Sequence, residues 1–222
     1  MRKPPVPGVT LLLPLFLLFA LSSSSAFAQG RPGSFELTLS GGGYFGGTFY
    51  RSTTANNFSQ IDLSTTGTWG AGLAYNFNRA IGIEFVYSHA EPSLELTHNF
   101  NNGLNTNLGT VKIDNYELNG NFAFGGYRIV GYFSFGAGAT HFSPENTGTL
   151  ARSDTRFTGN IGGGCKFYLS DHFAFRVDGR VRATETNVTT SNTYCDFNGV
   201  CYTYNDNWYY SGSATGGIVI AF

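Results

Sequence analysis

The sequence has little charge: only 12% of its 222 residues are Asp, Glu, Lys or Arg, against roughly a quarter in ordinary soluble domains. Its formal net charge of −1 leaves no basic footprint for nucleic acid. Residues that favour helices are scarce after the first thirty positions, which argues against an ordinary helical domain. Beyond that stretch no run of 18 apolar residues occurs, so the sequence predicts no transmembrane helix.

Proline is also rare in the body of the chain. Four of the seven prolines lie within the first 14 residues, and Pro32, Pro92 and Pro144 lie outside the cores of the strands predicted below, as ladder hydrogen bonding requires. In contrast, the chain contains 30 Gly, 21 Phe and 13 Tyr. This aromatic content excludes a disordered chain and points to an all-β protein.

The N-terminus has the pattern of a secretory signal. Arg2 and Lys3 precede an apolar run over residues 9–21, and Ala26-Phe27-Ala28 forms a small-x-small cleavage site. We predict a signal peptide over residues 1–28 and one mature domain over residues 29–222, which leaves 222 − 28 = 194 residues. An uncleaved membrane anchor is the alternative, although the apolar run is short for a bilayer.

The mature chain alternates with a period of two, the pattern of β-strands. In its last segment, every second residue from Trp208 to Phe222 is apolar, small or aromatic. Seven earlier segments have the same alternation. The eight predicted strands cover residues 35–49, 68–77, 81–88, 116–123, 133–139, 157–169, 173–182 and 207–222.

Short and long connections alternate along the chain. Tight turns are predicted at 78–80, 124–127 and 170–172, whereas the long, Asn/Thr/Ser-rich connections cover 51–63, 100–107, 144–154 and 185–206. We therefore predict an all-β, eight-stranded antiparallel up-and-down transmembrane β-barrel. Its two ends are called here the turn end and the loop end.

The distribution of charge predicts which face points inward. Four acidic and four basic residues lie on the strand faces opposite the aromatic residues, too few to coat a soluble exterior. A narrow interior would require each charge to have a partner, so we predict a plug of salt bridges in which Glu84 or Glu117 pairs with Arg176 or Arg180. A proton or ion pathway is the alternative. The predicted network comprises Glu36, Glu84, Glu117, Lys166, Arg176, Asp178, Arg180 and Arg182.

Aromatic residues near the strand ends fit the two interfaces of a membrane. With this orientation, Leu73 and Phe85 are predicted to face lipid. Gly72 then faces the lumen, and Gly72→Ser is expected to be mild.

Three segments resemble the small OmpA/OmpX-like outer-membrane β-barrels of Gram-negative bacteria. The segments are the FGAGA run at 135–139, the GGG run at 162–164 that leads to the FYLSD run at 167–171, and the closing GGIVIAF run at 216–222. The signal ending in Ala26-Phe27-Ala28 also contributes to the resemblance. The closing run is the most specific, because it resembles the terminal aromatic signal of that family. Two features depart from the pattern: no periplasmic domain follows Phe222, so peptidoglycan anchoring is not implied, and the loops contain a cysteine pair.

The resemblance implies a monomeric, non-enzymatic outer-membrane protein without a cofactor. Its surface loops would contribute to envelope integrity, adhesion or interaction with the host or environment. Implied partners are outer-membrane lipid and lipopolysaccharide and, during biogenesis, the barrel-assembly machinery; nucleic acid is not among them. The assembly signal would comprise Ile218, Ile220 and Phe222.

Two other functions stay open. Some eight-stranded outer-membrane barrels modify lipid A through Ser and His near the rim, and His89 and His141 lie toward the loop end with Ser88 and Ser143 nearby. No spacing orders a nucleophile, a base and an orienting group, and the four histidines are most simply solvated polar residues. The other alternative is a small channel.

The three cysteines do not form a metal-binding pattern. Cys195 and Cys201 flank Asn198-Gly199, a turn dipeptide, in the longest loop. A secreted chain reaches an oxidising compartment, so a disulfide between these two cysteines is predicted. Cys165, on a predicted lipid-facing position, should stay unpaired. The alternative is that all three cysteines are small apolar residues without a bond.

Overall fold

Extended strands account for nearly all of the chain that the structure describes. The computed structural model describes residues 32–54, 57–98, 105–126, 128–145, 153–195 and 201–222, and within these ranges it describes the side chains except at 49–60, 96–98, 105–108, 187–195 and 201–206. The predicted signal peptide lies outside these ranges. Within them, no helix has the length and apolar character needed to cross a membrane.

Eight long strands close into an antiparallel barrel, and three shorter ones are added at the loop end. The eight are β1, β4, β5, β7, β8, β9, β10 and β11; each pairs with the next, and β11 pairs with β1. The predicted eight-stranded barrel is confirmed. The strands are β1 Ser34–Phe45, β2 Thr48–Thr54, β3 Asn57–Leu63, β4 Thr66–Asn76, β5 Ile81–Ala90, β6 Ser93–His98, β7 Asn105–Gly125, β8 Ile129–Glu145, β9 Asp154–Ser170, β10 Phe173–Cys195 and β11 Cys201–Ala221.

Within the described residues, parts of the predicted long connections are paired strands. Connection 51–63 contains most of the β2–β3 hairpin, β6 pairs with β3 and β7, and β10 stays paired with β11 as far as the Cys195–Cys201 pair. Backbone N–H and C=O groups need hydrogen-bond partners even in polar segments. Threonine, which is frequent in these segments, is also enriched in β-strands. We call these paired extensions the platform: β2, β3, β6 and residues 105–110, 190–195 and 201–206.

The two faces of the barrel wall have opposite polarity. Large apolar side chains on the outer face are well exposed, including Leu73 at 49% and Phe85 at 48%. The eight charged side chains of the predicted network are buried on the inner face. The predicted orientation is confirmed, because a soluble barrel would show the reverse arrangement.

The barrel closes where the first strand meets the last. Leu39 pairs with Ile218 and Leu37 pairs with Ile220 across this seam. Phe222 and Phe35 exchange two backbone hydrogen bonds of 2.9 Å each, and their rings stack at 6.5 Å between centroids. Of the predicted assembly signal, Ile218 and Ile220 therefore belong to the strand that closes the barrel, and Phe222 follows its last residue and continues the pairing with β1.

We expect deletion of Phe222 to lower the amount of folded barrel in the outer membrane. The deletion removes the last backbone pair of the seam and one ring of the stacked pair. Heat-modifiable gel mobility of membrane-extracted protein measures the folded fraction, and Phe222→Tyr, which keeps ring and backbone, is the control. Equal folded barrel in the deletion variant and the control would contradict the assembly role.

Candidate functional site

The lumen contains all eight charged residues that the sequence assigned to it. Each is at least nine-tenths buried although each carries a charge. Charges removed from water in this way are tolerated only when they are paired and hydrogen-bonded. By ion pairing, the eight side chains form one large network and one separate pair, although Lys166 of that pair also lies 5.6 Å from the centre of the Tyr132 ring, which contacts the network.

Arg176 is the centre of the large network. Its Nη1 and Nη2 donate to the two oxygens of Glu84, and Nη2 also donates to Asp178 Oδ2 at 3.0 Å. Its Nε donates to the Tyr132 hydroxyl at 2.6 Å, and the guanidinium also lies 4.7 Å from the centre of that ring. Tyr132 in turn donates to Asp178. One arginine thus joins β5, β8 and β10 through three side chains.

Glu117 accepts hydrogen bonds from two arginines of the opposite wall. Arg180 Nη1 lies 2.6 Å from Oε2, and Arg182 Nε lies 2.5 Å from Oε1. Arg182 also donates to the Ser213 hydroxyl at 2.9 Å, and Arg180 lies 3.6 Å from Asp178. Because Glu117 has no exposed surface, its charge depends on these two guanidinium groups.

Glu36 forms the separate pair near the turn end. It accepts a hydrogen bond from Lys166, another from the Tyr168 hydroxyl at 2.9 Å and a third from Asn76 at 2.9 Å. The structure thus brings all eight predicted residues into contacts of opposite charge, with Glu84 on Arg176 and Glu117 on Arg180. The sequence did not identify Tyr132 and Tyr168 as partners of the lumen charges, although both occupy inward-facing positions of their strands.

Gly72 leaves the space that Glu84 occupies, and this revises the expectation for Gly72→Ser. A Cβ at position 72 would lie 2.9 Å from Glu84 Oε1 and 3.6 Å from the Thr38 side chain. Because Glu84 is held by Arg176, it has little freedom to move away. The substitution is therefore not mild in this structure.

We expect Gly72→Ser to lower the midpoint of urea unfolding in lipid vesicles. The added side chain must displace a carboxylate that carries two bonds to Arg176. Gly216→Ser, on the outer face, is the control for an added side chain that has room, because a Cβ at position 216 meets no atom within 4 Å. Equal midpoints for the two variants would show that the Glu84–Arg176 contact adapts to the added side chain.

A layer of hydroxyl groups follows the charges toward the loop end. Thr140 donates to Asn115 at 2.7 Å and lies 2.5 Å from the Thr158 hydroxyl, which is 2.9 Å from that of Thr184. All four side chains are buried. The layer therefore continues the hydrogen-bonded filling of the lumen across β7, β8, β9 and β10.

An apolar cluster closes the lumen above the hydroxyl layer. The Tyr44 and Tyr209 hydroxyls lie 2.9 Å apart, and the Gly47 N–H donates to Tyr209 at 3.3 Å. A Cβ at Gly46 would lie 2.2 Å from the Leu63 carbonyl oxygen, so glycine is needed where the link between β1 and β2 passes the end of β3. We call this cluster the apolar cap: Tyr44, Leu63, Ala90, Val111, Ile113, Phe142 and Tyr209.

Sequence reasoning missed the apolar cap, although a signal for it existed. The inward positions of β7 change from Val111 and Ile113 to Asn115 and Glu117, while the outward positions change from charged residues to Tyr116 and Leu118. The wall therefore reverses its polarity near Tyr116. Above this level the described part of β7 has apolar side chains inside and charged side chains outside, as strands of water-soluble proteins do.

A mostly polar row crosses the outer face beside Tyr87, Tyr116 and Phe157, which together with Trp69 we call the aromatic belt. Trp69, His89, Asp114, His141 and Thr155 occupy consecutive paired positions from β4 to β9. The His89 ring is 5.4 Å from that of Trp69. This row marks the level at which the exterior becomes polar.

His89 is held by carboxylates rather than by solvent alone, which corrects the expectation of solvated histidines. Its Nδ1 lies 2.8 Å from Asp114 Oδ1 and its Nε2 lies 3.2 Å from Glu91 Oε1. Asp114 also accepts a bond from the Tyr87 hydroxyl at 2.7 Å. Ser88 points into the lumen, where it accepts a bond from Asn115. Strand alternation therefore separates Ser88 from His89, so that the two do not form a nucleophile and base.

Cys195 and Cys201 are paired positions of the β10–β11 ladder. Their side chains lie outside the described part of the chain, so the predicted disulfide stays a prediction. Cys165 lies on β9 at an outward position, half-buried and free. The described residues contain no group of three or more His, Cys, Asp or Glu side chains that is able to hold a metal ion.

Solved structures of small barrels resemble this fold. OprG of Pseudomonas aeruginosa is 14% identical with a TM-score of 0.52, and the alignment covers 88% of this chain and 99% of that one. Neisserial surface protein A is 11% identical with a TM-score of 0.54 and coverage of 87% and 100%. Ail of Yersinia pestis, solved with the heparin analogue sucrose octasulfate, is 11% identical with a TM-score of 0.51 and coverage of 86% and 100%. At such identities the likeness concerns the fold.

A search of curated protein sequences found no match. The family model of the outer membrane protein beta-barrel domain matches residues 15–205, which is most of the chain. The closed barrel, its apolar outer face and its charged lumen agree with that match, and the outer membrane is the location that family and fold indicate. The chain belongs to the outer membrane protein β-barrel domain family.

Proposed function

We propose that this protein is a non-enzymatic, non-conducting surface barrel whose platform attaches the cell to a partner outside it. The observation that carries the proposal is the filled lumen: the charge network, the hydroxyl layer and the apolar cap follow one another along the barrel axis. A barrel closed in this way serves as a scaffold. What it presents to the exterior is the platform.

The closed lumen supports the absence of conduction. Eight strands enclose a space just wide enough for side chains to fill, and here paired charges and apolar groups fill it. A cavity of about 30 Å³ remains beside the network, lined by Ser40, Thr68, Gly70, Ser213 and Arg182 among others. That space suits a few water molecules and is too small for a sugar or an amino acid.

The platform supports a role at the surface. The loop end of such barrels faces the exterior of the cell, and here the described backbone beyond the rim includes paired ladders. β3 pairs with both β2 and β6, and Ser52 of β2 pairs in parallel with Ser191 of β10. Ladders joined in this way order the backbone before a partner binds, which lowers the ordering entropy that binding must overcome.

The similar structures agree with this role without naming a ligand for this chain. One is a surface protein and another is an attachment protein solved with a sulfated ligand. The platform sequence consists mainly of Asn, Thr, Ser, Tyr and Phe and has few basic residues. We therefore propose a partner recognised through amide, hydroxyl and aromatic groups rather than through sulfate.

Two measurements test the proposal. In planar bilayers, the refolded full chain should show no single-channel steps.

Cells that express the protein should attach to protein-coated and glycan-coated surfaces more than cells without it. This gain should be lost when Asn-Gly replaces residues 53–58 between the paired Ser52 and Ser59. The natural chain and the variant with Asn-Gly in place of residues 53–58 must be compared at equal outer-membrane levels. Single-channel steps in the bilayer, or equal attachment by cells that carry this variant, would contradict the proposal.

One contact on the outer face favours a second candidate, an enzyme that acts on outer-leaflet lipid. His141 Nδ1 lies 2.7 Å from the Thr155 hydroxyl, which is a hydroxyl–imidazole pair at the level where lipid headgroups would lie. Mass spectrometry of lipid A from cells with and without the protein tests this candidate. A mass change that His141→Ala abolishes would replace the scaffold role by an enzymatic one.

A further inference from the structure

We propose that Cys195 and Cys201 form a disulfide that fixes the register of the outermost β10–β11 ladder. This proposal does not depend on the attachment role, because it concerns the covalent structure of the platform. It rests on the backbone pairing of two cysteines and on a break in the ladder below them.

The pairing places the two backbones at bridging distance. Cys195 and Cys201 are directly opposed in an antiparallel ladder. Opposed Cα atoms in such ladders are about 4.5–5.5 Å apart, and disulfides join Cα atoms about 4.4–6.8 Å apart. A bond therefore requires no backbone movement at this position.

The location of the protein supplies the chemistry. An outer-membrane protein passes through the periplasm, where disulfides form and persist. The two thiols lose two electrons and two protons as the S–S bond forms. A disulfide-bearing thiol oxidant accepts them and is reduced to its dithiol.

The ladder below the cysteines explains why the bond matters. Between Glu185 and Thr190 of β10 the pairing with β11 shifts its register, so the regular barrel ladder does not impose its alignment on the tip. From Thr190 to Thr193 the strand is entirely polar, and its partners from Thr203 to Asp206 are mostly polar. Register is weakly specified where neither face has an apolar pattern. A covalent bond between opposed positions selects one alignment.

The same alignment positions the contact between β10 and β2. Ser191, four residues before Cys195, pairs with Ser52 of the β2–β3 hairpin. A slipped β10–β11 tip would present a different residue to β2. The disulfide would therefore keep the two parts of the platform in one relative arrangement.

The bond itself is tested on protein extracted from outer membranes without reductant. After alkylation under denaturing conditions and digestion, we expect a Cys195–Cys201 peptide pair that lacks two hydrogens. Cys165, which is free in the structure, should carry the alkyl group and is the internal control. Alkylation of both Cys195 and Cys201 would overturn the proposal.

The register is tested by moving the cysteine pair in a background in which Cys195 and Cys201 are serine. Thr193→Cys with Thr203→Cys introduces cysteines at opposed positions on the same face, and the two should cross-link. The comparison variant carries Thr193→Cys and Cys195→Ser and keeps Cys201. Its two cysteines, at positions 193 and 201, are two residues out of register, so they should cross-link at least tenfold less than the pair at 193 and 203. Equal cross-linking by the two pairs would overturn the assigned register.

The effect on the platform is tested by hydrogen exchange. In the Cys195→Ser/Cys201→Ser variant, amides of residues 190–195 and 201–206 should exchange at least tenfold faster than in the natural chain. Amides of residues 174–184, within the regular β10 ladder, should not change and are the control. Unchanged exchange in the tip would show that the bond does not fix the register.

Discussion

Replacing Glu117 with glutamine is expected to destabilise the barrel by about 3–5 kcal/mol, because the change leaves two buried arginines without their carboxylate. Glutamine has a similar shape but carries no charge, and its NH₂ group would face a guanidinium that has no lone pair to offer. Arg182 would keep its bond to Ser213, and Arg180 would keep only its longer contact with Asp178. Urea unfolding of the refolded barrel in lipid vesicles measures the loss.

The same substitution at an exposed ion pair is the control. Glu145 lies 2.6 Å from Lys112 on the outer face beyond the aromatic belt, with its side chain 48% exposed. Water and salt screen such pairs, so Glu145→Gln should leave the unfolding midpoint unchanged. Equal effects at the two positions would mean that the lumen is wet enough to solvate the arginines.

A triple variant separates the charge pairing from the packing. Glu117→Leu together with Arg180→Met and Arg182→Met removes all three charges and leaves none unpaired. Since apolar replacement of a complete buried ion cluster is often neutral, this variant should recover most of the stability that Glu117→Gln loses. If it is as unstable as the single variant, the charges themselves stabilise the barrel.

Arginine in the middle of the lipid-facing wall should have the second large effect. Leu73 pairs with both Leu37 and Phe85 on this face. Leu73→Arg and Phe85→Arg should each lower the free energy of unfolding in lipid by about 2–4 kcal/mol, because the guanidinium would enter hydrocarbon. The measurement is a denaturant titration in vesicles of defined lipid.

Gly67 provides the matched control on the same strand and face. It lies beyond Trp69 toward the loop end, and a Cβ there would meet no atom within 4 Å. Gly67→Arg should therefore change stability by less than about 1 kcal/mol, the magnitude for positions near the interface. If Gly67→Arg is as harmful as Leu73→Arg, the hydrocarbon boundary lies closer to the loop end than Trp69.

The predicted lumen residues show how far sequence reasoning extends. Alternation along β10 places Arg176, Asp178, Arg180 and Arg182 on one face, and their charge is incompatible with lipid. Their partners depend on how β5, β7 and β10 are staggered around the barrel. The sequence therefore left the choice between Glu84 and Glu117 open, and the structure assigns Glu84 to Arg176 and Glu117 to Arg180 and Arg182.

The platform shows where that reasoning ended. Connection 51–63, which is rich in Asn, Thr and Ser, was assigned to a long loop, yet most of the β2–β3 hairpin lies there, and β6, which lies outside every predicted strand, pairs with β3. The composition of a segment indicates whether a strand formed there would have an apolar face to bury. It does not report whether neighbouring backbones lie close enough to pair.

By itself, the sequence determined that eight alternating strands form the barrel, their inward and outward faces and the balance of charge inside, because these depend on a local period of two and on side-chain polarity. It did not determine the strand bounds: the strand predicted over 35–49 ends at Phe45, and the strand predicted over 116–123 covers Asn105–Gly125. The tertiary structure decided the pairing of each charge, the space that Gly72 leaves for Glu84, the apolar cap and the platform ladders. These features depend on the stagger and closure of the barrel, which bring together residues as far apart as Tyr44 and Tyr209. Such contacts are set by the geometry of the closed wall, and this geometry cannot be read from the residue pattern within a single strand.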